Sequence, residues 1–410
     1  MDGARTERIP TRALTVALGL ILVAALGVGA VTVGAGAQGE PPERLTEKEL
    51  LSRVSAAPES APNFRATVTV EQTLFPEGLL GASQGGNTGD SGPRTARVWR
   101  SGPDRLRAEL QGESGDRVLV RNGDRVSIYD GASNTLKTGE KPEAALSGAA
   151  GVDGLPGASP EEIDKVLAEI ASSSKLKTGA PVEVVGRWAY PLTLEPKDKS
   201  ATLVERAEAL VDAEAFVPLL LELYAEGRPE PVARYEAQDF QVGPVPDARF
   251  EFETPPGATV ERPEPRNDRA NEYREGDEPQ QAASVEEASE LAGFTVEELP
   301  EAPRGRELER IMVAGDGAVL TYGSDWGAVV LAEKAGGEEG AGPSRGSGAG
   351  GRGGELQVPL VDLGGGVKAR ELSTPVGTVL YWSDGGVSYT LAGSVPAAEL
   401  REAARGLLAR

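Results

Sequence analysis

Residues 117–130 read RVLVRNGDRVSIYD, and the hairpin they spell decides the fold. Arg117–Arg121 and Asp124–Tyr129 alternate apolar and polar residues. The Asn122-Gly123 pair between them is the preferred type I′ turn, which needs positive φ at both central positions. Upstream, Leu106, Ala108 and Leu110 alternate with Arg105, Arg107 and Glu109, and Thr95–Arg100 reads as a further strand. Phe64–Glu71 alternates strictly, as a half-buried strand with one solvated face does. Downstream, strand patterns resume at Val182–Glu195, Leu203–Asp212, Leu219–Tyr224, Pro231–Val242 and a last edge at Arg249–Glu253. Strands in series with short turns predict an antiparallel meander rather than βαβ units.

Two helices punctuate this series. Thr46 with Glu49 forms a capping box, with Leu45 and Leu50 as a staple and Leu50, Leu51 and Val54 on the apolar face. Ser159-Pro160-Glu161-Glu162 starts the second helix, and Ile163, Val166, Leu167 and Ile170 fall on one face. The expected class is α+β: one curved antiparallel sheet over 45–260 with helical cover on its concave face. A linker poor in aliphatic residues follows over 261–283. Residues 284–410 predict a smaller α+β unit with a glycine-rich disordered loop at 335–354. It opens with a second capping box at Ser284–Glu287 and stops that helix at Gly293. Strands fit Glu309–Ala314, Ala318–Gly323, Trp326–Glu333, Gly377–Trp382 and Val387–Ala392, and a last helix carries Leu400, Ala404 and Leu407.

Composition excludes more than it includes. The 410 residues contain no His and no Cys, so Ser-His-Asp triads, imidazole or thiolate metal sites, catalytic thiols, disulfides and lipid-modified cysteines are all absent. Lys plus Arg number 42 against 64 Asp plus Glu, a net charge of −22 that repels nucleic acid and anionic membranes. Residues 13–37 carry no charge and follow Arg5, Arg8 and Arg12. Residues 1–37 therefore predict a cleaved signal peptide, ending at Ala35-Gly36-Ala37, or a retained N-terminal membrane anchor, with the chain beyond Gln38 outside the cytoplasm.

Catalytic motifs are weak. Gly346–Gly351 matches G-x-G-x-x-G inside low-complexity glycine, with no strand before it. Pairs such as Glu161/Glu162 and Glu286/Glu287 suit helix N-termini and are expected in so acidic a chain. No enzyme activity, metal or cofactor is expected. The candidate site is apolar: Val68, Val70, Trp99, Leu106, Tyr129, Trp188, Leu221 and Tyr235 either fill an ordinary core or line a groove between sheet and helix.

Two blocks in order resemble a known family. Val98-Trp99-Arg100-Ser101-Gly102-Pro103 leads to the hairpin ending Ser127-Ile128-Tyr129-Asp130, and Pro246–Val260 reads PDARFEFETPPGATV. They resemble the LolA-like superfamily, which holds periplasmic lipoprotein carriers and the RseB/MucB regulators of envelope-stress sigma factors. The resemblance implies an open half-barrel of about eleven strands, helices plugging its concave side, and a hydrophobic cavity. The implied partner is the acyl chain of a lipid or lipoprotein, or, in the regulatory branch, a membrane anti-sigma factor. Linker and second unit resemble the two-domain RseB-like arrangement, and Val379–Leu391 resembles a small C-terminal domain of Gram-positive exported proteins. The carrier's arginine before the strand proline is Gly102 here, and its hairpin tryptophan is replaced by Ser127 or Ile128. The carrier's lid-locking step does not transfer.

Overall fold

The structure, a computed structural model, describes residues 39–74, 93–112, 115–140, 171–262, 280–336 and 358–409. The expected segment over 13–37, the helix over Ile163–Ile170, most of the linker and most of the glycine-rich loop lie outside the described residues. Among the described residues no helix is long and apolar enough to cross a membrane.

Helix α1 (Glu47–Ser60) starts as its sequence dictates. Glu49 N donates to Thr46 Oγ1, and Thr46 N donates to Glu49 Oε2 at 2.9 Å, closing the capping box. The strands that follow are β1 (Phe64–Gln72), β2 (Arg94–Ser101), β3 (Arg105–Leu110), β4 (Arg117–Asn122), β5 (Arg125–Asp130) and β6 (Thr135–Glu140). After them come β7 (Ser174–Thr178), β8 (Val182–Val184), β9 (Arg187–Pro196), β10 (Val204–Asp212), β11 (Pro218–Ala225), β12 (Ala233–Val242) and β13 (Thr259–Glu261).

They form one 13-stranded sheet in the order β13-β6-β5-β4-β3-β2-β1-β12-β11-β10-β9-β7, with β8 also on β9. Two meanders, β2 to β6 and β9 to β12, are joined through β1, which pairs with β2 on one side and β12 on the other. Every pairing is antiparallel except that of β13 with β6. Register shifts at Thr67/Val68, Val204/Arg206 and Leu210/Val211 insert bulges, and bulges bend a sheet.

Three sequence expectations need correction. Asn122 pairs with Arg125, so the hairpin loop is Gly123-Asp124 rather than Asn122-Gly123. Gly123 has φ 62° and Asp124 is not among the residues of positive φ, the pattern of a type II′ turn with glycine first. The expected single strand Val182–Glu195 is a hairpin, because Val185 (φ 46°) and Gly186 (φ 69°) turn the chain between β8 and β9. A β-branched residue there is strained, and its strand-like side chain hides the turn from a sequence reading. Arg249–Glu253 is not an edge strand: Asp247–Phe250 is a turn of 3₁₀ helix, and pairing begins only at Thr259.

The second sheet comprises β14 (Gln280–Ala282), β15 (Leu308–Ala314), β16 (Gly317–Tyr322), β17 (Val329–Ala335), β18 (Leu360–Gly364), β19 (Val367–Thr374), β20 (Gly377–Asp384) and β21 (Val387–Gly393). Its order is β14-β15-β16-β17-β21-β20-β19-β18, and β14, β18 and β19 go beyond the sequence expectation. Helix α2 (Val285–Ala292) is capped by Ser284, which accepts from Glu287 N, and ends at Gly293 with φ 74°. Helix α3 (Ala397–Leu408) contributes Leu400, Ala404 and Leu407. Both helices pack on one face of this sheet, the face of Leu320, Leu331, Leu380 and Leu391.

Candidate ligand-binding face

Strand pairing shows which side chains share a face, because residues directly opposite each other point the same way. Tyr235 on β12 lies opposite Val70 on β1 and Leu221 on β11. Val68 lies opposite Ala96 and Ala237, and Leu106 lies opposite Arg100, which in turn faces Phe64. Five of the eight candidates, Val68, Val70, Leu106, Leu221 and Tyr235, therefore stand on one apolar face.

That face holds two hydrophobic clusters. One lies over β9, β10 and β11 and includes Leu192, Leu194, Ala207, Ala209 and Leu223. Helix α1 seals it with the fully buried Leu50, and Leu51 and Val54 pack against it. The other lies over β1, β2, β3 and β12, is joined by Ala189 of β9, Ala215 of the β10–β11 turn and Leu219 of β11, and includes Phe64, Val68, Val98, Ala108 and Phe240. It contains no α1 side chain among the described residues, and Val70, Leu106, Leu110 and Leu221 around it are only partly buried. Leu221 belongs to the margin of both clusters. Tyr235 is 3% exposed, and desolvation raises its hydroxyl pKa well above the ordinary tyrosine value.

Trp188 marks the end of this face where the chain enters. By alternation along β9 it shares the side of Tyr190, and its indole N–H donates to Gly39 O at 3.4 Å. Tyr190 donates its hydroxyl to Glu43 O at 3.0 Å and stacks on Phe216, whose other neighbour is the Arg53 guanidinium of α1. The segment before α1 is thus tied along β9.

Trp99 and Tyr129 are not part of the groove. Trp99 lies opposite Arg65 and Arg107, one residue out of phase with the buried Val98, and so points to the other side of the sheet. Tyr129 is likewise out of phase with Ile128. The returning tail occupies this opposite side. Phe250 is buried there, Arg249 lies over the Trp99 ring at 5.1 Å, and Phe252 packs on Tyr129 at 5.8 Å between centroids. Arg107 Nη1 donates to the carbonyls of Arg249 and Glu251. The alternation of Val98-Trp99 contained this signal, whereas residue type alone did not. Leu110, Tyr190, Leu219 and Phe240 belong to the apolar face and were missed, although strand alternation marks Leu219 and Leu110.

No protein-family model matches this chain, and no curated protein does. Among solved structures it is similar to MucB of Pseudomonas aeruginosa in the MucA/MucB complex, at 16% identity over 87% of this chain and 95% of that chain, with TM-score 0.41. It is similar to a LolA superfamily protein of Nitrosomonas europaea, at 12% identity over 51% of this chain and 99% of that chain, with TM-score 0.23. It is also similar to an outer-membrane lipoprotein-sorting protein domain of Vibrio parahaemolyticus, at 11% identity over 50% of this chain and 97% of that chain, with TM-score 0.23. Both branches named from the sequence motifs are represented among these structures. At such scores the likeness concerns fold, and function is left to the geometry of this chain.

Proposed function

We propose that this chain is an exported, non-enzymatic protein of the cell envelope that holds the acyl chain of a lipid or lipoprotein on the apolar face of its first sheet. One observation carries the reading: Val70, Leu106, Leu110 and Leu221 stand half-buried around a cluster to which α1 contributes no side chain among the described residues. A linear acyl chain suits such a strip, because each buried CH₂ contributes about 0.8 kcal/mol and sixteen carbons outweigh the ordering cost of binding. The uncharged run over 13–37 directs the rest of the chain out of the cytoplasm, as an anchor or a cleaved signal.

A second reading is a regulator that docks a membrane anti-sigma factor. What favours it is the second sheet: both helices pack on one face, and Val319, Val330, Leu372 and Val379 alternate onto the other. Native mass spectrometry of the intact protein, recovered from membranes, distinguishes the readings. Adducts with acyl-chain masses support the carrier. A bare mass together with a stoichiometric membrane-protein partner supports the regulator and removes the carrier.

A further inference from the structure

The cluster over β9, β10 and β11 is not made by the first sheet alone. Trp326, from the turn between β16 and β17, and Val376, from the turn between β19 and β20, are buried members of it, beside Leu192, Leu194 and Val204. Trp326 is 7% exposed, and its indole N–H donates to Ser174 Oγ at 2.8 Å. The seam around it is closely fitted. Leu203 N donates to Ser394 O at 3.1 Å, the Thr202 and Ser394 hydroxyls are 2.8 Å apart, and Arg306 Nη2 donates to Ala201 O at 3.0 Å. A Cβ on Gly327 would lie 1.8 Å from Ala201 O, so only glycine lets the two backbones approach this closely.

A cleft of about 240 Å³ lies beside Trp326, lined also by Pro196 and by polar residues including Ser172, Lys197, Asp198 and Asp325. Trp326 thus fills an apolar seat in the first sheet's cluster and also borders this cleft, with 7% of its surface exposed.

We propose that the seat of Trp326 is a second acyl site, held shut in this structure by the tryptophan itself. When the seam opens, Trp326 leaves, and an acyl chain takes its place against Leu192, Leu194 and Val204. A ligand that binds only the opened state shifts the equilibrium towards it by its differential affinity, so acyl occupancy and docking of the second sheet oppose each other. This inference rests on the acyl-binding reading above.

The test uses the full-length chain carrying Thr202→Cys and Ser394→Cys. The chain has no native cysteine, so the single disulfide this pair can form spans the seam, where the native hydroxyls are 2.8 Å apart, and its formation is checked by mass before binding is measured. The probe is cis-parinaric acid, an 18-carbon fluorescent fatty acid. Oxidised protein is expected to bind one equivalent, at the open face of the first sheet, and the same protein after reduction two, the second equivalent being bound about tenfold more tightly by Trp326→Ala than by the natural sequence. Equal binding by oxidised and reduced protein, with no gain in Trp326→Ala, overturns the gated site and leaves the acyl-binding reading standing. Absence of binding in every form, the natural sequence included, overturns both.

Discussion

Arg187 grips both carboxylate oxygens of Asp212, Nε at 2.5 Å and Nη2 at 2.9 Å, and the Asp212 side chain is wholly buried. Asp212 Oδ1 also accepts from the backbone N–H groups of Glu214 and Ala215. One carboxylate therefore organises the β10–β11 turn, in which Phe216 sits at φ 53° and stacks on Tyr190 at the entry end of the apolar face. Removing the guanidinium leaves a buried charge with amide partners only. Arg187→Ala should cost about 3–5 kcal/mol, read as a lower urea midpoint. A change below about 0.5 kcal/mol would mean that the turn holds without the pair.

The hairpin makes opposite demands at adjacent positions. Gly123 needs positive φ and no neighbouring atom crowds its missing Cβ, so Gly123→Val should cost about 1–3 kcal/mol through backbone strain alone. Asn122 is a strand residue paired with Arg125, so Asn122→Val should be near neutral, within about 0.5 kcal/mol. Thermal melting of the two variants checks this. A large loss in Asn122→Val would restore the type I′ turn.

Trp99 and Tyr129 hold the tail. Trp99→Ala should lower stability by about 1–2 kcal/mol, through the lost Arg249 contact and lost ring packing, and leave acyl affinity unchanged. A fall in affinity without loss of stability would put Trp99 back in the groove.

Buried tyrosines make the fold sensitive to alkali. Desolvation raises Tyr235 well above its ordinary value of 10.0, and Tyr224 is pushed up to about 12 by desolvation and its bond to Glu222. Above pH 10 the unfolded chain has lost these protons while the folded chain retains them. The unfolded state then binds fewer protons, and stability falls as pH rises. Stability is thus unaffected by these groups below pH 10 and declines above it. Tyr235→Phe should flatten part of that decline in unfolding curves taken from pH 9 to 12, and an unchanged slope would mean that Tyr235 ionises freely in the fold.

Features governed by a few neighbouring residues were legible. Thr46 with Glu49 and Ser284 with Gly293 cap their helices as read, because a cap is a contact across three or four residues or a single φ. The alternation of Phe64–Glu71 placed Val68 and Val70 correctly for the same reason. Non-local choices were not legible. Which face carries Trp99 depends on a tail about 150 residues later that returns across β3, a contact over a separation no local pattern reports. Val185 turns the chain although its side chain favours strand, since the hairpin pairing of β8 with β9 overrides propensity.

Trp326 was the least legible of all. It reads as the start of an ordinary strand, yet its ring serves the core of the other sheet, and only the assembled seam reveals that role.

The face bearing Val70, Leu106 and Leu221 is expected to bind an acyl chain. The direct test is a titration of the intact protein with a diacylated lipopeptide, followed by tryptophan fluorescence, with melting curves recorded on the same samples. Binding should be saturable with Kd in about the micromolar range, and at least about tenfold weaker in Leu221→Asp, whose carboxylate would be desolvated by the chain. Leu106→Ser, at a half-buried position of the same face, should weaken binding while the melting midpoint stays within about 2–4 °C. A folded natural chain that takes up no lipopeptide would contradict the claim.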